Sequence, residues 1–157
     1  MWGLMASDVT GPEVSRHSNL FQNEEHSIAG DAPEFRVVVE GTRRPLAPLL
    51  NSDVYQIGRE LLRNAFQRAN ARRIEVEIRY SDDVLQLRVR DDGKGIEPTV
   101  LKEGGRRGHW GLTGMRERAK NIGGQFTIWS KSGAGTEAEL RIPSRAAYAH
   151  RLSHGVF

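Results

Sequence analysis

The chain contains no cysteine. That excludes a disulfide framework, a thiolate zinc site and a cysteine nucleophile, and it is compatible with a reducing compartment. Aromatic residues make up only 7%, and they do not interleave with basic ones as they would in a base-stacking surface. No apolar run approaches the roughly 20 residues needed to span a bilayer. The first residues, Met1-Trp2-Gly3-Leu4-Met5, lack a basic region followed by an apolar stretch. Charge of one sign is missing too: 23 Lys and Arg against 20 Asp and Glu leave +3. The basic residues sit in scattered pairs, Arg43-Arg44, Arg72-Arg73 and Arg106-Arg107. Nucleic acid and direct membrane contact are therefore not expected as partners. The expected setting is soluble and cytoplasmic, with any inner-membrane anchor belonging to a parent protein.

What remains is 157 residues, room for one domain of ordinary size and short appendages. Residues 1–33 are rich in Ser, Asn, Glu, Gly and His and show no sustained period, which predicts a poorly ordered lead-in. Phe35, Val37 and Val39 alternate within Glu34 to Glu40 and predict a strand, broken by Gly41, Pro45 and Pro48. Val54, Ile57, Leu61, Ala65 and Phe66 recur at helical spacing, so a helix is expected through about Ala69, with Asn51, Ser52 or Asp53 as its cap.

Ile74, Val76, Ile78 and Tyr80 alternate with charged residues over Arg72 to Tyr80. After Ser81-Asp82-Asp83, Leu85, Leu87 and Val89 do the same, which predicts an antiparallel hairpin. Ile96 to Gly108 is glycine-rich, charged and without period, and reads as a mobile loop. A second helix is predicted from about Gly111 through Asn121, ended by Gly123-Gly124. Two more strands follow, Gln125 to Lys131 and Thr136 to Ile142, joined by Ser132-Gly133-Ala134-Gly135. Pro143 is expected to end regular structure and leave a peripheral tail, 144–157.

Three clusters carry chemistry. Glu60 and Asn64 stand four residues apart on the first helix, on one face beside the apolar stripe. An amide oxygen there suits a hard cation already held by phosphates, and a nearby carboxylate can orient a water; two solvated residues on a helix rim are the plainer alternative. Asp91 is in phase with the inward residues of its strand, and Gly93 and Gly95 follow it. A buried carboxylate needs donors, and an adenine amino group is one, although Asp-Gly and Lys-Gly are also ordinary turn dipeptides. Gly108, Gly111 and Gly114 flank the second helix's start, where backbone N–H groups can face an anion. A flexible entry to a helix would look the same. Thr136 is in phase with Ala138, Leu140 and Ile142, so its hydroxyl points inward and needs a partner, through water, near Asp91.

The ordered set of Glu60-x-x-x-Asn64, Asp91-x-Gly93-x-Gly95, the loop, and Gly108-His109-Trp110-Gly111-Leu112-Thr113-Gly114-Met115 resembles a known family. It is similar to the ATP-binding domain shared by sensor histidine kinases, DNA gyrase, the mismatch-repair ATPase and the related heat-shock chaperone. The likeness covers about Glu34 to Pro143. Residues 108–119 most resemble the histidine kinases that partner NarL-type response regulators.

The resemblance implies a two-layer α/β (α+β) sandwich of Bergerat type, a mixed sheet covered on one face by helices. It implies ATP and Mg²⁺ as ligands. Asn64 would be the metal ligand and Glu60 its acidic partner. Asp91 would bind the adenine amino group beside Gly93 and Gly95, with Ile96 and Met115 lining the base and Thr136 nearby. Gly108, Gly111, Leu112 and Gly114 would form the second glycine box and the hinge of a lid over 97–107. The implied partners are a dimerisation and phosphoacceptor domain and a downstream response regulator, with the isolated domain monomeric.

Two departures stand out. Family members usually carry Lys or Arg and then His after the Asn-x-x of this helix, whereas Gln67 and Arg68 stand here; Arg68 is the neighbouring candidate to contact phosphate. His17 and His26 lie outside any phosphoacceptor context, so a fragment, a degenerate version or a stand-alone version of a kinase is expected. The same nucleotide site would also serve an anti-sigma-factor serine kinase or a binding module without phosphoryl transfer.

Overall fold

The computed structural model describes residues 32–103 and 111–149. The expected lead-in, Gly108 and most of the expected tail lie outside them. The elements run β1 (Glu34–Glu40), α1 (Pro48–Gln67), β2 (Arg73–Tyr80), β3 (Val84–Asp91), α2 (Pro98–Lys102), α3 (Leu112–Asn121), β4 (Gln125–Lys131), β5 (Gly135–Pro143) and α4 (Ser144–Ala147).

The strands form a five-stranded mixed sheet in the order β1-β2-β3-β5-β4. β1 and β2 pair in parallel because α1 carries the chain back across the sheet. The other pairs are antiparallel, with Val76 opposite Val89, Leu87 opposite Leu140, and Asp91 opposite Thr136. This register puts every predicted inward residue of β2, β3 and β5 on one face. Helices cover that face: Leu50, Val54, Ile57 and Leu61 of α1 and Leu112, Met115 and Ala119 of α3 join the sheet in one core. Each Val, Leu, Ile or Met among them contributes about 1.5–3 kcal/mol through burial. Phe66 leans on Phe35, with ring centroids 5.4 Å apart. The opposite face is polar, carrying the Arg88–Glu77 ion pair and the Gln86–Glu139 hydrogen bond across its strands. The expected two-layer sandwich is the observed one.

Several local expectations need correction. α1 begins at Pro48 with Ala47 as its N-cap, and no side chain caps it. Proline is well placed there, since its missing N–H falls where a helix has no use for one. α1 ends at Gln67, not Ala69. The segment read as a loop contains the short helix α2, again begun by a proline. Residues past Pro143 also fold back: Tyr148 is 3% exposed, bridges Leu46, and lies against Tyr80 and Arg44. Its hydroxyl accepts from the Ser81 N–H at 3.2 Å and donates to the Val84 carbonyl at 3.3 Å. The start of the tail is thus part of the core. No helix among the described residues is long and apolar enough to cross a membrane.

Candidate nucleotide site

Asp91 ends β3 at a place where the inward phase of the strand leaves a carboxylate facing the helices, 8% exposed. It shares a partly open cavity with Asn64 and Thr136, whose apolar lining includes Leu61, Ala65, Val89 and Ile96. The empty space is ≈ 290 Å³, solvent at the mouth included. Burial pushes the Asp91 carboxyl above the ordinary carboxylate range, and backbone N–H groups of Gly93 and Thr136 pull against that shift. The Gly93 donor lies at 2.9 Å. The carboxylate's remaining acceptor capacity leaves a place for an N–H donor on a flat ligand.

The turn after Asp91 is held on three sides. Asp92 accepts the N–H groups of Arg72 and Arg73, both at 2.8 Å, which ties it to the start of β2. The Lys94 N–H donates to the Ala69 carbonyl at 2.8 Å, just past α1. A Cβ at Gly93 would collide with that same carbonyl, so only glycine lets the turn come this close. Gly95 has φ +74° and lies against the Lys131 carbonyl. Ile96, 2% exposed, is fixed through its N–H to Ser130 Oγ at 2.7 Å.

Ser130 is a residue the motif reading missed. Its hydroxyl also meets the Gly135 carbonyl at 3.0 Å and Thr136 Oγ1 at 2.9 Å. The inward Thr136 hydroxyl thus has a direct protein partner in Ser130. The signal was in the sequence, because Ser130 shares the inward phase of Phe126 and Ile128.

From α1, Asn64 is 7% exposed and lines the cavity. Glu60 does not line it. Its carboxylate sits 3.7 Å from Arg63, and a Cβ at Gly111 would come within 2.9 Å of Glu60 Cγ. Glu60 thus abuts the residue that opens α3. Gly111 is that helix's N-cap, left-handed at φ +68°; no side chain caps the helix and none of its own first-turn residues is acidic, so the carboxylate beside its start is that of Glu60. The Leu112 and Met115 side chains, 0% and 2% exposed, belong to the core. Leu112 can meet a ligand only through its backbone. Gly114 has open space where a Cβ would stand.

The structure thus brings Asn64, Asp91, Ile96 and Thr136 to one cavity and seats Glu60 and Gly111 against each other beside it. Among the described residues no group of three or more His, Asp or Glu side chains converges to hold a metal unaided. A lone amide oxygen, from Asn64, suits a magnesium ion whose other ligands are phosphate and water oxygens.

A mixed sheet with helices on one face, and a buried carboxylate at a strand end beside glycine turns, defines an ATPase-like α/β sandwich. The model for histidine kinase-, DNA gyrase B- and HSP90-like ATPases matches residues 50–146, more than half of the chain. The chain belongs to this family, and ATP is the ligand that membership implies. It is 29% identical over 139 residues to the signal transduction histidine-protein kinase/phosphatase DegS of Bacillus subtilis (strain 168), covering 88% of this chain and 36% of that protein. It is 41% identical over 91 residues to the sensor histidine kinase YdfH of the same organism, with 57% and 22% covered. For sensor protein VraS of Staphylococcus aureus (strain COL) the figures are 34% over 94 residues, with 60% and 26% covered. The chain spans roughly a third or less of these curated relatives. A blue-light activated histidine kinase from Erythrobacter litoralis EL346 superposes with a TM-score of 0.58 at 24% identity, covering 74% of this chain and 37% of that one. At that identity the likeness speaks for the fold alone.

Proposed function

We propose that the chain is the ATP-binding catalytic domain of a sensor histidine kinase. It would bind ATP with Mg²⁺ and pass the γ-phosphoryl group to a histidine on a dimerisation and phosphoacceptor domain. A response regulator, of NarL type by the resemblance, would take the phosphoryl group onward. One observation carries the reading: the buried Asp91 carboxylate shares a single cavity with the Asn64 amide.

In this reading Asp91 accepts a hydrogen bond from the adenine amino group. Gly93 and Gly95 keep the turn close enough for the base to lie flat, with Ile96 as an apolar neighbour and Thr136, fixed by Ser130, at its edge. Leu112 and Gly114 offer first-turn N–H groups to phosphate at the positive end of α3, with Gly111 setting the angle of entry. Asn64 holds the metal, and Glu60 fixes the start of α3 against α1. Magnesium, when bound, would neutralise charge on the terminal phosphates. Catalysis of this kind comes mainly from positioning and charge stabilisation, so loss of Asn64 should cost more rate than nucleotide affinity.

The test mixes the chain with ATP and a histidine-containing dimerisation domain. An acid-labile phosphoprotein is the expected product. An acid-stable phosphoserine on a partner would favour the serine-kinase reading. Retained ATP binding without transfer would favour a binding module, a reading to which the neutral Gln67 lends some weight.

A further inference from the structure

Asp91, Thr136 and Ser130 form one polar row across three neighbouring strands. Asp91 of β3 stands opposite Thr136 of β5, which stands opposite Ser130 of β4. Asp91 and Thr136 line the cavity, so Ser130 acts on a ligand only through them.

A serine hydroxyl has one proton to donate and two lone pairs with which to accept. Around Ser130 Oγ stand the Ile96 N–H at 2.7 Å, the Gly135 carbonyl at 3.0 Å and Thr136 Oγ1 at 2.9 Å. The Ile96 N–H can only donate and the Gly135 carbonyl can only accept, so the first takes one lone pair and the second takes the proton. What remains is the second lone pair, which the Thr136 hydroxyl fills with its own proton. The reverse sense, Ser130 donating to Thr136, would set the Ser130 and Gly135 oxygens against each other with no proton between them. Thr136 thus keeps only lone pairs for a ligand. Its neighbour Asp91, when ionised, also only accepts.

We infer that Ser130 is a positioning residue for base selection: by engaging the Thr136 proton it makes that hydroxyl an acceptor, and the cavity then favours a base edge that donates. The inference rests on the ATP reading above and deepens it. The adenine amino group is such a donor. Hypoxanthine carries a carbonyl oxygen in its place, and acceptors set against an acceptor lose the hydrogen bonds they had to water without gaining new ones.

Calorimetric titration of the full chain with Mg²⁺ and either ADP or inosine diphosphate tests this through the ratio of the two affinities. Wild type should prefer ADP. Ser130→Ala frees the Thr136 proton to turn toward a carbonyl, and should narrow the ratio about 10-fold, the worth of one hydrogen bond. In a Thr136→Val background the same Ser130→Ala change should leave the ratio where it is, because the group it acts through is gone. A purely structural role would weaken both ligands alike. An unchanged ratio in Ser130→Ala, or equal narrowing in both backgrounds, therefore overturns the inference. Should Ser130→Ala fail to fold, Ser130→Cys decides, since a thiol is a weak acceptor: a narrowed ratio supports the inference and a wild-type ratio sinks it. A wild-type chain that binds both nucleotides equally overturns the inference alone. One that binds neither overturns the ATP reading, and the inference falls with it.

Discussion

The two ends of the site are built on opposite principles. At the Asp91 end every backbone segment is tied: Asp92 grips the start of β2, Lys94 is bonded to Ala69, and Ile96 hangs from Ser130. Glycine is required at 93 because protein already fills the space where a side chain would go. At the start of α3 the helix has no side-chain cap, and Gly114 looks into open space. A glycine kept for packing and one that leaves room for a ligand look alike in a sequence; the surroundings tell them apart. Such an arrangement suits a flat base held rigidly at one end and an anion received at the other.

The comparison breaks first at Asp91. Replacing it with Asn should cost about 3 kcal/mol of nucleotide affinity, more than 100-fold, because the amide's remaining donor meets the adenine amino group. The unliganded fold should be no less stable at neutral pH, since the buried charge is gone; a thermal melt checks this. Gly93→Ala should destabilise the protein by about 2–4 kcal/mol in denaturant titration, as Ala69 and the turn are forced apart. Asp92→Ala should cost about 0.5–1.5 kcal/mol, since water can reach the two freed N–H groups, with a smaller effect on affinity than at Asp91. The smallest and most telling change is Gly114→Ala. As an exposed helix position it should gain about 0.5–1 kcal/mol in stability, yet bind ATP more weakly. A gain in stability with unchanged binding would show that the open space there serves no ligand.

The adjacent carboxylates should also titrate in opposite senses. Asp91 is raised by burial, so the folded state holds a proton that the unfolded chain has released. Stability from this group is present below the ordinary carboxylate value and is lost as pH rises through the raised one. Asp92 is lowered, first by the Arg73 N–H and also by that of Arg72. Its stabilisation is present above the ordinary value and is lost as pH falls through the lowered one. Affinity for adenine nucleotides should fall as Asp91 protonates, and Asp91→Asn should remove that dependence; titrations across mildly acidic pH measure both.

Much of the fold was legible from period alone. Alternation placed β2, β3 and β5 and set Asp91 inward, because a strand with one covered face has little freedom in phase. A proline misled: Pro48 read as a break yet starts a helix. Tyr148 was illegible for another reason. Its partners Ser81 and Val84 lie more than 60 positions away, and nothing local in the tail signals them. Ser130 was readable by phase, but a serine between apolar residues carries no chemistry until its neighbours are known. Glu60 and Asn64 share a helix face, and only the packing of α3 sends one to Gly111 and the other to the cavity.

The central claim is that Asp91 recognises a purine. Isothermal titration of wild-type chain and Asp91→Asn with Mg²⁺ and ADP tests it in a single comparison. Wild type should bind saturably and the variant should lose more than about 100-fold, with both proteins folded. Equal affinity in the two would contradict it.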